Sequence, residues 1–331
     1  MADGVEPAQR GTRTALKPAQ RATRPPWNPQ PGQREEDGIV IQAEGVPAEP
    51  LRFGLSLMNF DDFAEARRVA DLARVAEDAG WEALLVWDHL GFVWGTPSGD
   101  PWTLVTAAAL ATDRLLVGTD VSVIARERPM PFARQLATID RLSGGRLVLG
   151  VGIGGAPDEY RKAGEPVDPR ERAALTDEML DVVRALLAGE TVTHQGPALV
   201  VDDVTLAPLP VQARIPVWVG GGSRGARRRA ARHDGWIPVT VDDEGRPCLT
   251  PDDVRAALAE IRAERAAAGV APGAPFAVGI HGETPGPGAD GAALVRPWVE
   301  AGATWWLEML HGWRGSTDDL FARVAAGPPR G

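Results

Sequence analysis

Asp88 and His89 stand side by side where an apolar run ends, in the stretch LLVWDHLGF at residues 84–92. A carboxylate accepts hydrogen bonds and an imidazole exchanges a proton near neutral pH, so the pair is equipped for acid–base work. It is equally suited to a polar turn, which Asp favours. His281 and His311 also follow apolar runs, whereas His194 lies in an irregular segment and His233 near the end of a helical pattern. Histidines at several such ends raise the alternative of a metal-dependent hydrolase, although no HxH pair follows the first apolar run.

Two glycine-rich stretches add to this chemistry. GVGIGG places Gly150, Gly152, Gly154 and Gly155 at a strand end, where backbone can approach a flat ligand closely. In VGGGSRGARRRAAR, Gly220, Gly221 and Gly222 let N–H groups converge, and Ser223 is placed to cap a helix whose positive end would hold a phosphate. Arg224, Arg228 and Arg232 recur every four residues on one helix face. Such a run by itself reads as solvated surface, but behind a glycine-rich strand end Arg224 becomes a phosphate partner.

Residues this far apart must be carried to one place by the scaffold. Short apolar runs at 51–57, 81–87, 114–123, 146–152, 215–220, 235–239, 275–281 and 303–310 read as strands. Amphipathic patterns such as DFAEARRVADLARVAEDAG and DDVRAALAEIRAERAAAG lie between them, each closed by a glycine suited to a helix C-terminus. Eight strand–helix units is the count of a (β/α)8 TIM barrel, an α/β fold whose chemistry sits at the C-terminal strand ends. Asp88, His89, His281 and His311 fall there. A doubly wound open sheet is the rival architecture. Residues 189–212 read as a hairpin-bearing insertion before the fifth strand. Residues 1–49, rich in Pro, Arg, Gln and Gly without periodicity, read as a disordered tail, and 50–331 as one barrel domain.

Composition narrows the partner. A net charge of −10 over 331 residues argues against a nucleic-acid surface and for a small-molecule substrate. A single cysteine, Cys248, leaves no internal disulfide, and no apolar run is long enough for a membrane span or a signal peptide. A soluble cytoplasmic protein that does not engage membranes is expected.

The stretches AEDAGWEALLVWDHL, ATDRLLVGTDVSV, RERPMPFARQLATIDRLSGGRLVLGVGIGG with DEY after it, PVWVGGGSRGARRRAARHDGW and VAAGPPR come in a telling order. From about residue 51 onward, that order and spacing resemble the bacterial luciferase-like oxidoreductases. The resemblance implies a (β/α)8 barrel that binds FMN or the deazaflavin coenzyme F-420 in its mouth, hydride transfer with a small organic substrate, and a homodimer in similar proteins. It implies an acid/base role for His89 and a cofactor-contacting role for Asp88. It places a bulge with a non-proline cis peptide between Asp120 and Val121, behind the redox ring. Gly152, Gly154, Gly220, Gly221, Gly222, Ser223 and Arg224 complete the cofactor set, and the glutamate tail of F-420 would offer partners to Arg227 and Arg228.

Trp94 is similar, displaced by one residue, to a pocket tryptophan, and His281 and His311 are the other substrate-pocket candidates. Trp102, Trp305 and Trp306 suit core packing, and only one of the last two can enter the barrel. Related sugar-phosphate dehydrogenases carry a catalytic glutamate where this chain has Gly155, a departure that speaks against a sugar-phosphate substrate. Three alternatives stay open: an FMN-dependent monooxygenase, a non-catalytic flavin-binding protein and the metal-dependent hydrolase. No metal ligand set is assigned.

Overall fold

Strands of a parallel barrel have two faces to bury, one against the barrel interior and one against the surrounding helices, so they read as continuous apolar runs. The computed structural model describes residues 50–240 and 248–330, and the tail expected over residues 1–49 lies outside the described residues. The strands are β1 (Arg52–Leu57), β2 (Ala83–Val86), β3 (Leu116–Thr119), β4 (Leu147–Val151) and β5 (Thr191–Gln195). They continue with β6 (Val200–Thr205), β7 (Val217–Gly220), β8 (Gly235–Ile237), β9 (Ala277–Gly282) and β10 (Trp305–Leu310). All except β5 and β6 close into a parallel barrel in the order β1-β2-β3-β4-β7-β8-β9-β10, with β10 pairing back onto β1. This is the (β/α)8 architecture. β5 and β6 form a separate antiparallel pair ahead of the fifth barrel strand.

The helices are α1 (Ala66–Asp78), α2 (Pro101–Ala111), α3 (Pro129–Ser143), α4 (Pro157–Ala163), α5 (Pro169–Leu187), α6 (Arg224–Ala231), α7 (Pro251–Ala267), α8 (Ala289–Ala301) and α9 (Thr317–Ala325). Two helices rather than one follow β4, because Gly164 adopts a left-handed φ of 75° and ends α4 before Asp168 caps α5. The apolar run at 114–123 yields only Leu116–Thr119 as strand, since the chain leaves the ladder at Asp120 and returns with Ser122 bridging Val151.

Side-chain alternation sorts the core into two bodies. Ala83, Leu85, Val148, Trp218, Ile237, Trp305 and Leu307 fill the barrel, while Leu84, Val86, Leu149 and Trp306 pack outward beneath the helices. Trp305 is therefore the member of its pair that enters the barrel. It sits at the start of β10, 5.3 Å from the Trp218 ring, and so fills the floor rather than walling a ligand at the mouth. Trp102 packs between helices against Phe132 at 5.4 Å.

Candidate active site

At the C-terminal rim, side chains from the ends of four strands, β1, β2, β3 and β9, meet. Ser56 Oγ donates to Asp120 Oδ2 at 2.6 Å, Trp87 Nε1 donates to Ser56 Oγ at 2.7 Å, and His281 Nε2 lies 2.7 Å from the same Asp120 oxygen. Burial would lower the His281 pKa, but the charge and hydrogen bond of Asp120 outweigh it and hold the imidazole above its usual value. The Asp120–Val121 peptide bond is cis.

Val121, which follows, is clasped by glycine. A Cβ on Gly152 would stand 2.4 Å from Val121 Cγ2, and one on Gly220 would stand 2.9 Å from Cγ1. Any side chain at either position would displace Val121 from the wall of the mouth. Gly154 has a different neighbour: a Cβ there would fall 1.3 Å from the Tyr160 hydroxyl oxygen, so its missing side chain makes room for a buried tyrosine. Gly155 and Gly222 face open space.

His89 is held by a carboxylate that the sequence reading did not single out. Its Nδ1 lies 2.8 Å from Glu159 Oε1, which also accepts from Leu90 N at 2.9 Å, while Glu159 Oε2 accepts from Arg126 Nη2 at 2.5 Å. The Glu159 side chain is only 1% exposed and Arg126 10%. Burial raises the Glu159 carboxyl, yet the hydrogen bond and charge of His89 and the bond from Arg126 outweigh it, and the net shift is downward. Glu159 is thus a carboxylate, and against it Nδ1 must be the donor. His89 Nε2 has no protein partner among the described residues. The imidazole is also ringed by aromatics, with centroids of Trp94 at 5.0 Å, Trp87 at 5.7 Å and Phe60 at 6.1 Å.

Asp88 is tied to the neighbouring strand end. Its Oδ2 accepts from Ser122 Oγ at 3.0 Å and from Val123 N at 2.9 Å, and its Oδ1 lies 3.8 Å from Arg126. Asp88 thus braces the rim with Oδ2, while Oδ1 lies toward Arg126.

On the β7 side, Ser223 caps α6 by accepting from Ala226 N at 3.1 Å, and the first-turn N–H groups of that helix have no intrahelical acceptor. Arg224 has no ion-pair partner among the described residues. Its companions are engaged: Arg227 with Glu260 at 2.8 Å, Arg228 with Glu264 at 3.5 Å, and Arg232 with Asp177 at 2.7 Å. His311, in the loop after β10, bonds Glu283 at 2.9 Å, and His194 bonds Glu178 at 2.7 Å on β5. Among the described residues no three His, Cys, Asp or Glu side chains converge as a metal site would require. No helix among them is long and apolar enough to cross a membrane.

The sequence model of the family described as luciferase-like monooxygenase matches residues 24–284. An F-420-dependent glucose-6-phosphate dehydrogenase of Microbacterium testaceum is 31% identical over 201 residues, covering 59% of this chain and 58% of that protein. An uncharacterised protein of Mycobacterium tuberculosis is 35% identical over 161 residues, 48% of this chain and 56% of its own length. The chain thus spans little more than half the length of these curated relatives. Among solved structures, an F-420-dependent secondary alcohol dehydrogenase in complex with an F-420–acetone adduct aligns with a TM-score of 0.68 at 16% identity, covering 83% of this chain and 97% of that one. A monooxygenase from Streptomyces bottropensis aligns with the same TM-score at 20% identity and the same coverage. At these identities the two structures share the fold.

Proposed function

The chain belongs to the luciferase-like monooxygenase family, and from that premise we propose that it is an oxidoreductase holding coenzyme F-420 in the barrel mouth. It exchanges a hydride with a small organic substrate, and His89 serves as the acid/base. The observation that carries this reading is the 2.8 Å bond from His89 Nδ1 to buried Glu159, which leaves Nε2 as the proton-exchanging atom. The bond orients the ring, fixes the tautomer and stabilises the imidazolium when it forms.

The residues fit a flavin-type group. Val121, clasped by Gly152 and Gly220, offers a flat apolar wall with Asp120 beneath it, and Asp88 presents Oδ1 as an acceptor for the polar edge of a ring. Gly220, Gly221, Gly222, Ser223 and Arg224 would take the phosphate at the start of α6, where unpaired N–H groups and the helix dipole favour an anion. When bound, a deazaflavin supplies the hydride acceptor or donor. In the oxidative direction His89 Nε2 takes the hydroxyl proton of the substrate, and in the reductive direction it returns one. Trp94 borders this proton exchange. His281, held by Asp120, and His311, held by Glu283, stand at neighbouring strand ends as further pocket groups.

A second reading is an FMN-dependent monooxygenase. It is favoured by the pairing of Arg227 and Arg228 with Glu260 and Glu264, which leaves a single-phosphate cofactor fully served by the α6 start while a longer anionic tail would have to compete with those carboxylates. Titration of the purified protein with F-420 and with FMN decides between them. We expect tighter F-420 binding that weakens with added salt and in Arg224→Ala. Tight FMN binding insensitive to Arg228→Ala, with oxygen uptake on reduction, would establish the monooxygenase instead.

A further inference from the structure

The mouth is chemically divided. The arginines that open α6, after β7, lie across the barrel from β1. The loops following β1 and β2, residues 58–65 and 87–100, contain no Lys or Arg and carry Asp61, Asp62, Glu65, Asp88 and Asp100. Arg126, the cation that shares Glu159 with His89, is already divided among Glu159, Glu165 and Asp88 and is almost wholly buried. A phosphate brought to His89 would therefore lose its hydration beside Glu159 and Asp88, with no free counter-cation in these two loops to receive it.

The same rim is rich in aromatic surface. Trp94 is 45% exposed and stands nearly perpendicular to the His89 imidazole, with an interplanar angle of 84°, and its ring lies 5.4 Å from that of Phe60. Phe92, in the same loop, is 51% exposed. An exposed tryptophan packed against a histidine whose Nε2 is free of protein partners among the described residues forms an apolar platform at that rim.

Resting on the oxidoreductase reading above, we propose that the substrate is an uncharged, ring-bearing alcohol or ketone seated on Trp94 beside His89, with the buried Phe60 ring backing that tryptophan, and that phosphorylated substrates are refused. The aromatic faces hold the carbon skeleton, and the single hydroxyl or carbonyl oxygen meets His89 Nε2. The chain would then differ in substrate class from its glucose-6-phosphate dehydrogenase relative.

The test is a binding measurement on the full chain, with and without cofactor, using the neutral bicyclic ketone 2-tetralone and glucose 6-phosphate as probes in saturation-transfer NMR. We expect 2-tetralone to bind, Trp94→Ala to weaken it about tenfold and Trp94→Phe to retain most of the affinity. With cofactor bound, so that the start of α6 is filled, glucose 6-phosphate should neither give a signal nor displace the ketone. Absence of ketone binding, affinity unchanged in Trp94→Ala, or competition by glucose 6-phosphate would overturn the assignment. Cofactor binding is followed separately in the same samples by its own absorbance. A failure there counts against the oxidoreductase reading and is distinguishable from a failure of the substrate class.

Discussion

Replacing Glu159 with Gln removes one charge and almost no volume, yet the structure gives this change no harmless outcome. The carboxylate receives three donors: His89 Nδ1 and Leu90 N on Oε1, and Arg126 Nη2 on Oε2. An amide has one acceptor and one donor end. With its oxygen toward His89, its NH2 is driven against the Arg126 guanidinium; turned round, it faces the Leu90 N–H and can accommodate His89 only if the imidazole shifts its proton to Nε2. The first arrangement leaves a buried arginine short of its closest partner, at a stability cost of about 2–4 kcal/mol. The second puts the imidazole proton on Nε2, the atom that the proposed mechanism needs free to accept one. We expect Glu159→Gln to lower turnover by roughly 10²-fold or more, the scale of losing an oriented acid/base, with cofactor affinity within a few-fold. Single-turnover kinetics on variants checked for folding by circular dichroism measure this. The His89→Ala/Glu159→Gln double variant should be no slower than His89→Ala alone, because the two residues act as one unit. Turnover of a folded Glu159→Gln within threefold of the parent, or fully additive losses in the double variant, would refute the reasoning.

His89→Ala should cut turnover by roughly 10²-fold while leaving the cofactor dissociation constant within a few-fold; unchanged turnover would make His89 a packing residue. Gly152→Ala forces a Cβ to within 2.4 Å of Val121 and should cost about 1–3 kcal/mol in denaturant melts while weakening cofactor binding, whereas a silent substitution would show that Val121 yields freely. Burial, helped by the charge of Arg184, pushes the His233 pKa from 6.5 down to about 3. As pH falls the unfolded chain takes up this proton first, so the associated stability is present above pH 6.5 and is lost on the way toward pH 3. By pH 4 the loss is about 3 kcal/mol, and urea melts of the parent and His233→Gln should converge as the solution is acidified. Parallel pH profiles for the two proteins would contradict this.

The barrel was legible because its evidence is local. Eight apolar runs separated by amphipathic stretches require a parallel sheet covered by helices, and the same pattern puts Asp88, His89 and the glycines of β4 and β7 at the rim. Ser223 was legible as a cap for the same reason, since its bond to Ala226 N spans three residues. Glu159 was not. It lies in PDEYRKA, a helix of 7 residues too short for periodicity to separate a buried acid from its half-buried neighbour Asp158, and its partners His89 and Arg126 are 70 and 33 residues away. The 161-residue separation of Asp120 and His281 is equally silent in sequence. The arginines of α6 illustrate the converse: their shared face was readable, but Glu260 and Glu264, which occupy two of them, come from α7. Periodicity reports which face of a segment is apolar, a property each segment carries alone. Which carboxylate neutralises which cation or orients which imidazole depends on the contacts made when the barrel closes, so only the tertiary structure decides it.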